Sequence, residues 1–188
     1  FVLLVSDIVK TALSLVGRED AAEALEGQAY LDDAELLHAV RAMLYCVNAV
    51  EDELARGTFP LVREDMLTAV GGRIYYTEFT RTPAKIISVK RGGRDVAYVL
   101  CPEYIETDGK GLTVKYMYCP QKKELADESD YDGYPVGERL MAYGAASEYC
   151  LIEGAFEEAE NWEQRYREEV ERARPRERCG YIPARVWQ

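Results

Sequence analysis

The stretch LTVKYMY, Leu112 to Tyr118, alternates: Leu112, Val114, Tyr116 and Tyr118 fall on one side of an extended chain, and Thr113, Lys115 and Met117 on the other. Side chains repeat every two residues along a strand, so this stretch reads as a strand with one buried face. RDVAYVL at 94–100 behaves alike, grouping Val96, Tyr98 and Leu100, while GRIYYTEF (72–79) and AKIISVK (84–90) supply two further strands. Gly92-Gly93 and Asp108-Gly109 are turn signals, the second favouring the primed hairpin turns that need positive φ. An antiparallel meander is therefore expected between about Val70 and Cys119.

Outward from this block the period changes to that of helices. Ser6 is a natural N-cap, and Ile8, Val9, Ala12, Leu15 and Val16 follow at helical spacing until Gly17. Arg18 to Gln28 reads as a short helical turn and loop. Asp32 and Asp33 place negative charge where a helix begins, and Leu36, Val40, Met43, Val47, Val50 and Leu54 then mark one apolar stripe. Arg56 lies in the last turn, and Gly57 is expected to end it in the left-handed conformation.

Beyond a polar loop from Gln121 to Gly133, Pro135 fits a first helical turn, with Val136, Leu140, Tyr143, Cys150 and Leu151 on one face. The small residues Gly144, Ala145, Ala146 and Ser147 allow close backbone approach, and Gly154 a tight reversal. A last helix opposes Phe156, Ala159, Trp162, Tyr166 and Val170 to a glutamate-rich face.

The order predicts an α+β protein: a mainly helical, four-helix bundle-like body with an inserted antiparallel β-sheet module. Residues 1–62 supply the first helices, 63–120 the β module, 121–175 a helical hairpin completing the bundle, and 176–188 an extended C-terminal tail.

A net charge of -11 and a pI of about 4.7 over 188 residues argue against nucleic acid as the main partner, since phosphate binding is driven by Lys and Arg. No run of roughly 18 apolar residues is present, so no membrane partner is expected. The five cysteines, Cys46, Cys101, Cys119, Cys150 and Cys179, are scattered without a C-x-x-C pair, and buried thiols are expected for the first four. His38 is the one histidine and reads as an ordinary helix residue.

Glu128, Asp130, Asp132 and Gly133 match the opening of a calcium loop, but Arg139 stands where a bidentate glutamate is required, so the loop reads as an acidic linker. Phosphate-binding and nucleophile motifs are not found, so no catalytic, cofactor-binding or metal-ligating residue is nominated and no enzyme is expected. The strand tyrosines Tyr75, Tyr76, Tyr98, Tyr104, Tyr116 and Tyr118 leave open an aromatic sheet face for a peptide or small ligand.

Two features remain. Arg81, Lys85, Lys90, Arg91, Arg94, Lys110, Lys115, Lys122 and Lys123 make the β region basic beside an acidic helical body, which suits head-to-side packing of copies. The tail RCGYIPARVWQ (178–188) is aromatic and basic, with Pro183 to stiffen it.

Together VSDIVKTALSLVG (5–17), AMLYCVNAVEDELARG (42–57), GRIYYTEFTRTPAKIISVK (72–90), GLTVKYMYCP (111–120), the helical hairpin from Pro135 to Ala173 and IPARVWQ (182–188) carry a resemblance covering nearly the whole chain. The chain resembles the head-to-tail connector, or adaptor, proteins of tailed bacteriophages and their prophages. The resemblance implies a non-enzymatic structural protein that forms a homo-oligomeric ring on the portal protein, meets tail-completion proteins, and has DNA only as passing cargo. It implies a place in the virion neck, after expression in the cytoplasm of a bacterial host. By the same resemblance Arg178, Tyr181, Ile182, Pro183, Arg185, Val186 and Trp187 dock on the portal.

Overall fold

A computed structural model describes residues 2–131, 133 and 135–174. Five α-helices are found there: α1 (Val5–Leu15), α2 (Glu19–Ala24), α3 (Ala34–Arg56), α4 (Glu138–Ile152) and α5 (Phe156–Ala173). Asp33 caps α3, its carboxylate accepting from the backbone N–H groups of Glu35 (2.8 Å) and Leu36 (3.2 Å). Ser6 does not cap α1; Leu4 stands at that position without a side-chain bond. The chain there is held by pairing instead, with Val5 N–H donating to Asp127 O at 3.1 Å and Ser129 N–H to Leu3 O at 2.8 Å. Pro135 precedes α4, whose N-cap is Gly137. Gly57 ends α3 at φ -109°, not in the left-handed region, whereas Gly154 takes φ 77° between α4 and α5 as its reversal demands.

The helical body is not a four-helix bundle. In such a bundle each helix buries one stripe, but α4 is buried without interruption from Leu140 to Ser147. It is a central helix with α1, α3 and α5 packed around it, α2 closing against α1 and α3. The single face expected for α4 fails at Leu151, which is 47% exposed. The run Gly144 to Ser147 explains the difference, because four consecutive small side chains let three helices approach one. At Gly144 a Cβ would lie 2.9 Å from Val50 Cγ1 and 3.0 Å from Tyr166 Cε2, so α3 and α5 meet α4 there at backbone range. Helix α5 is peripheral, with Ala159 and Tyr166 its buried residues.

Nor is the β module one meander. Its strands are β1 (Leu61–Leu67), β2 (Arg73–Tyr75), β3 (Pro83–Arg91), β4 (Arg94–Asp95), β5 (Val99–Leu100), β6 (Tyr104–Glu106) and β7 (Leu112–Tyr118). They form two antiparallel sheets, one ordered β1-β7-β3-β4 and the other β2-β6-β5. Gly92 and Gly93, at φ 56° and 81°, close the β3–β4 hairpin as expected. Asp108-Gly109 joins no hairpin; it carries the chain from β6 in one sheet to β7 in the other. Strand β1 was hidden because its central Arg63-Glu64-Asp65 masks the alternation.

Leu112, Val114 and Tyr116 of β7, with Ile86 and Val89 of β3, face Ile74 and Ile105 of the smaller sheet, giving the module a core of its own. At the other end of β1 and β7, Leu61 is buried in the helical core, and Tyr118 packs against both cores. With about 49% helix, 21% strand and two antiparallel sheets, the architecture is α+β and not a four-helix bundle carrying one inserted sheet. No helix among the described residues is long and apolar enough to cross a membrane.

Candidate interaction surfaces

Buried polar groups cost free energy unless bonded, and the seam between body and module is held by a network in which one buried atom, Asp130 Oδ2, has no hydrogen-bond partner among the described residues. Glu51 of α3 is 1% exposed, and its Oε1 accepts from Ser129 Oγ (2.6 Å) and from the backbone N–H of Asp130 (2.8 Å). Asp130 Oδ1 in turn meets Arg81 Nη2 at 3.2 Å and Lys123 Nζ at 3.3 Å. Asn48 accepts from Lys123 N–H at 2.6 Å and donates to Lys123 O at 3.1 Å. Burial pushes the Glu51 carboxyl above its ordinary value, against the opposing pull of its bonds to Ser129 and Asp130. Through Glu51 Oε1 and Asp130 Oδ1 the cluster fastens α3 to the 121–131 loop and, through Arg81, to the β module.

A second network fixes β1. Asp65, 8% exposed, accepts from Thr80 N–H (2.8 Å), Thr80 Oγ1 (3.0 Å), Tyr116 Oη (2.8 Å) and Arg63 Nε (3.2 Å). Burial alone would raise its pKa, but these bonds outweigh it and hold the carboxyl below the usual range. Burial and the bond to Asp65 push Tyr116 up to about 12. A depressed carboxyl stabilises the fold above its unfolded pKa and loses that contribution as pH falls through the folded value. Asp65→Asn is therefore expected to cost about 1–3 kcal/mol at neutral pH. The cost should shrink in acid, which urea midpoints at neutral and acid pH measure.

Three exposed surfaces remain. The first is the β3–β4 tip, where Arg91 and Arg94 stand directly opposite each other in the antiparallel register. Like charges so placed repel. Lys110 follows Gly109, which the Arg91 guanidinium covers: a Cβ there would stand 3.0 Å from Arg91 Nη1. Val99, 59% exposed, lines the cleft that Arg91 borders.

The second is a cleft of about 390 Å³ where α3, α4 and α5 meet. Exposed Leu151 and Phe156 line it together with Glu53, Glu148, Glu160 and Glu163. Burial, then the negative charges of Glu163 and Glu148, raise the Glu53 carboxyl despite its bond from Tyr166. Arg167 Nε answers Glu163 at 2.6 Å, which leaves the cleft acidic.

The third is the outer face of the smaller sheet. Tyr75 and Tyr104 pack edge to face at 5.7 Å, and the Arg73 guanidinium lies 4.6 Å from the Tyr104 ring centre. The wider aromatic platform is not formed, because Tyr116 is buried and Tyr76 donates its hydroxyl to Cys101 O at 2.9 Å.

The docking residues read from the sequence, Arg178, Tyr181, Ile182, Pro183, Arg185, Val186 and Trp187, lie outside the described residues, as do Cys179 and Asp132. Cys46 and Cys150 are buried, Cys101 and Cys119 half-buried; burial pushes the Cys46 thiol up to about 12. His38 is exposed, 4.0 Å from Glu153. Asp130 of the acidic loop faces two cations of its own chain rather than an open loop.

Sequence reasoning missed Glu51 and Asp65. For Glu51 a signal existed, since it falls on the same helix face as Val47 and Leu54, where a charge must be partnered. No protein-family model matches the chain, and a search of curated proteins finds no relative.

Proposed function

We propose that this chain is a structural head-to-tail connector of a tailed bacteriophage or prophage, forming a homo-oligomeric ring docked on the portal protein and meeting tail-completion proteins. One observation carries the reading most: an arginine pair on the β3–β4 hairpin and a glutamate-rich cleft between helices each stand beside exposed apolar residues, on different parts of the fold. The first surface holds Arg91, Arg94, Lys110 and Val99, with Glu106 and Asp108 also lining its cleft; the second holds Glu148, Glu160, Leu151 and Phe156. A protein that must meet unlike neighbours on two sides needs two unlike surfaces, and complementary potentials fix orientation as well as contact. In this reading the segment from Arg178 to Trp187 is the portal anchor.

Copurification with the portal protein tests the assignment. Full-length chain is expected to bind, and a chain cut after Arg174 to bind at least about tenfold more weakly, as loss of an aromatic hot spot implies. Equal binding by the two sinks the anchor; no binding by either sinks the connector reading. A second reading, an interaction domain for a peptide or small ligand, is favoured by the Tyr75–Tyr104–Arg73 surface.

A further inference from the structure

We infer that the β3–β4 tip of one copy seats in the cleft between α4 and α5 of the next, making the contact by which copies of this chain associate. The inference rests on the connector reading for its setting and names the self-contact surface within it.

Charge complementarity is the first argument. Backbone register forces Arg91 against Arg94, and the cleft gathers Glu148 and Glu160 around Glu53. Among the described residues neither arginine has a carboxylate within 4.0 Å, and neither do Glu148 and Glu160 a cation. Two like-charged sites that are each repulsive alone relieve one another on contact.

The second argument is apolar. Val99 in the cleft beside Arg91, and Leu151 with Phe156 in the helical cleft, put exposed apolar side chains on both surfaces, which charge alone would not need. Interfaces commonly join such a centre to a charged rim.

Reach is the third. Leu61 and Tyr118 root the larger sheet in the helical body, whereas Arg91 pairs with Leu112 at its far end. Seven residues of β7 put the tip about 20 Å out from that root. The tip therefore stands clear of its own helices. Because tip and cleft are different surfaces, the contact is head to tail, the kind that closes into a ring when the rotation per copy permits.

Sedimentation velocity of the full-length chain at low salt, with charge-reversed variants, tests this. Wild type is expected to form species larger than the monomer that dissociate in high salt. The tip variant Arg91→Glu/Arg94→Glu and the cleft variant Glu148→Arg/Glu160→Arg should each associate at least about tenfold more weakly, and an equimolar mixture of the two should associate again. Glu148 and Glu160 lie on helices and Arg91 and Arg94 on strands, so circular dichroism and thermal melts matching wild type check that each variant folds. A monomeric wild type, a variant that associates undiminished, or a mixture that stays monomeric overturns the contact. If the tip variant instead loses binding to duplex DNA while self-association persists, the tip is a phosphate-binding surface and the inference is wrong. Portal copurification is read separately: a restored mixture without portal binding keeps the self-contact and removes the connector reading.

Discussion

Gly144→Leu is expected to abolish cooperative unfolding of the helical body, and Gly144→Ala to lower stability by about 1–3 kcal/mol, the usual cost of overpacking a filled core. Alanine normally gains about 1 kcal/mol over glycine inside a helix, so a loss would be diagnostic of steric contact. The added Cβ would meet Val50 Cγ1 at 2.9 Å, Val50 Cγ2 at 3.0 Å and Tyr166 Cε2 at 3.0 Å. Val50 is 1% and Tyr166 5% exposed, so neither can swing into solvent to make room. For a chain of this size each kcal/mol lowers Tm by about 2–4 °C, within easy reach of a thermal melt. The β module has a separate core, so near-ultraviolet tyrosine signals from Tyr116 should outlast the helical signal in Gly144→Leu. A higher Tm for Gly144→Ala would refute the three-helix contact at this position.

Glu51 gives the second large effect, with opposite outcomes for two substitutions. Glu51→Ala strands the Ser129 hydroxyl and the Asp130 N–H in a dry seam, at about 1–3 kcal/mol for each group. Glu51→Gln keeps an accepting oxygen and removes a buried charge, so it should be neutral or stabilising at neutral pH. The direction of the pKa shift fixes the pH dependence. A carboxyl raised in the fold contributes stability below its unfolded pKa, and loses that contribution as pH rises through the folded value. Wild type should therefore lose stability relative to Glu51→Gln as pH climbs from the acid range toward neutrality. Urea midpoints of both proteins across that range measure it, and parallel curves would mean that Glu51 titrates normally.

Local periodicity made the helices and the central strands legible. The stripe of α3, the reversal at Gly154 and the alternation of β7 all depend on residues a few positions apart. What escaped depends on residues far apart. Whether α4 buries one face or all of them is decided by what surrounds it, and its small residues serve either arrangement. Asp108-Gly109 has the chemistry of a hairpin turn, but partner choice belongs to β7, which pairs with the distant β1, Val114 opposite Asp65, and not with β6 beside it. The polar seam was invisible for the same reason, since Glu51 and Ser129 are separated by 78 positions. Of the candidate surfaces, the sequence showed the basic β region and the acidic last helix. It did not show that Leu151 and Phe156 stand exposed among the glutamates, because both were assigned to buried stripes.

The position of α4 at the centre of the helical body also sets a timetable for synthesis. Helices α1 to α3 leave the ribosome well before the helix they must cover. At ordinary elongation rates the roughly 100 residues between the end of α3 and the end of α4 take on the order of 5–20 s. During that interval Val40, Met43, Val47 and Val50 have no lasting cover, while the whole of the β module, with its private core, has already emerged and can fold. The nascent chain thus carries a finished middle behind unfinished first helices; the arrival of α4 completes them and offers α5, made next, the surface on which it packs.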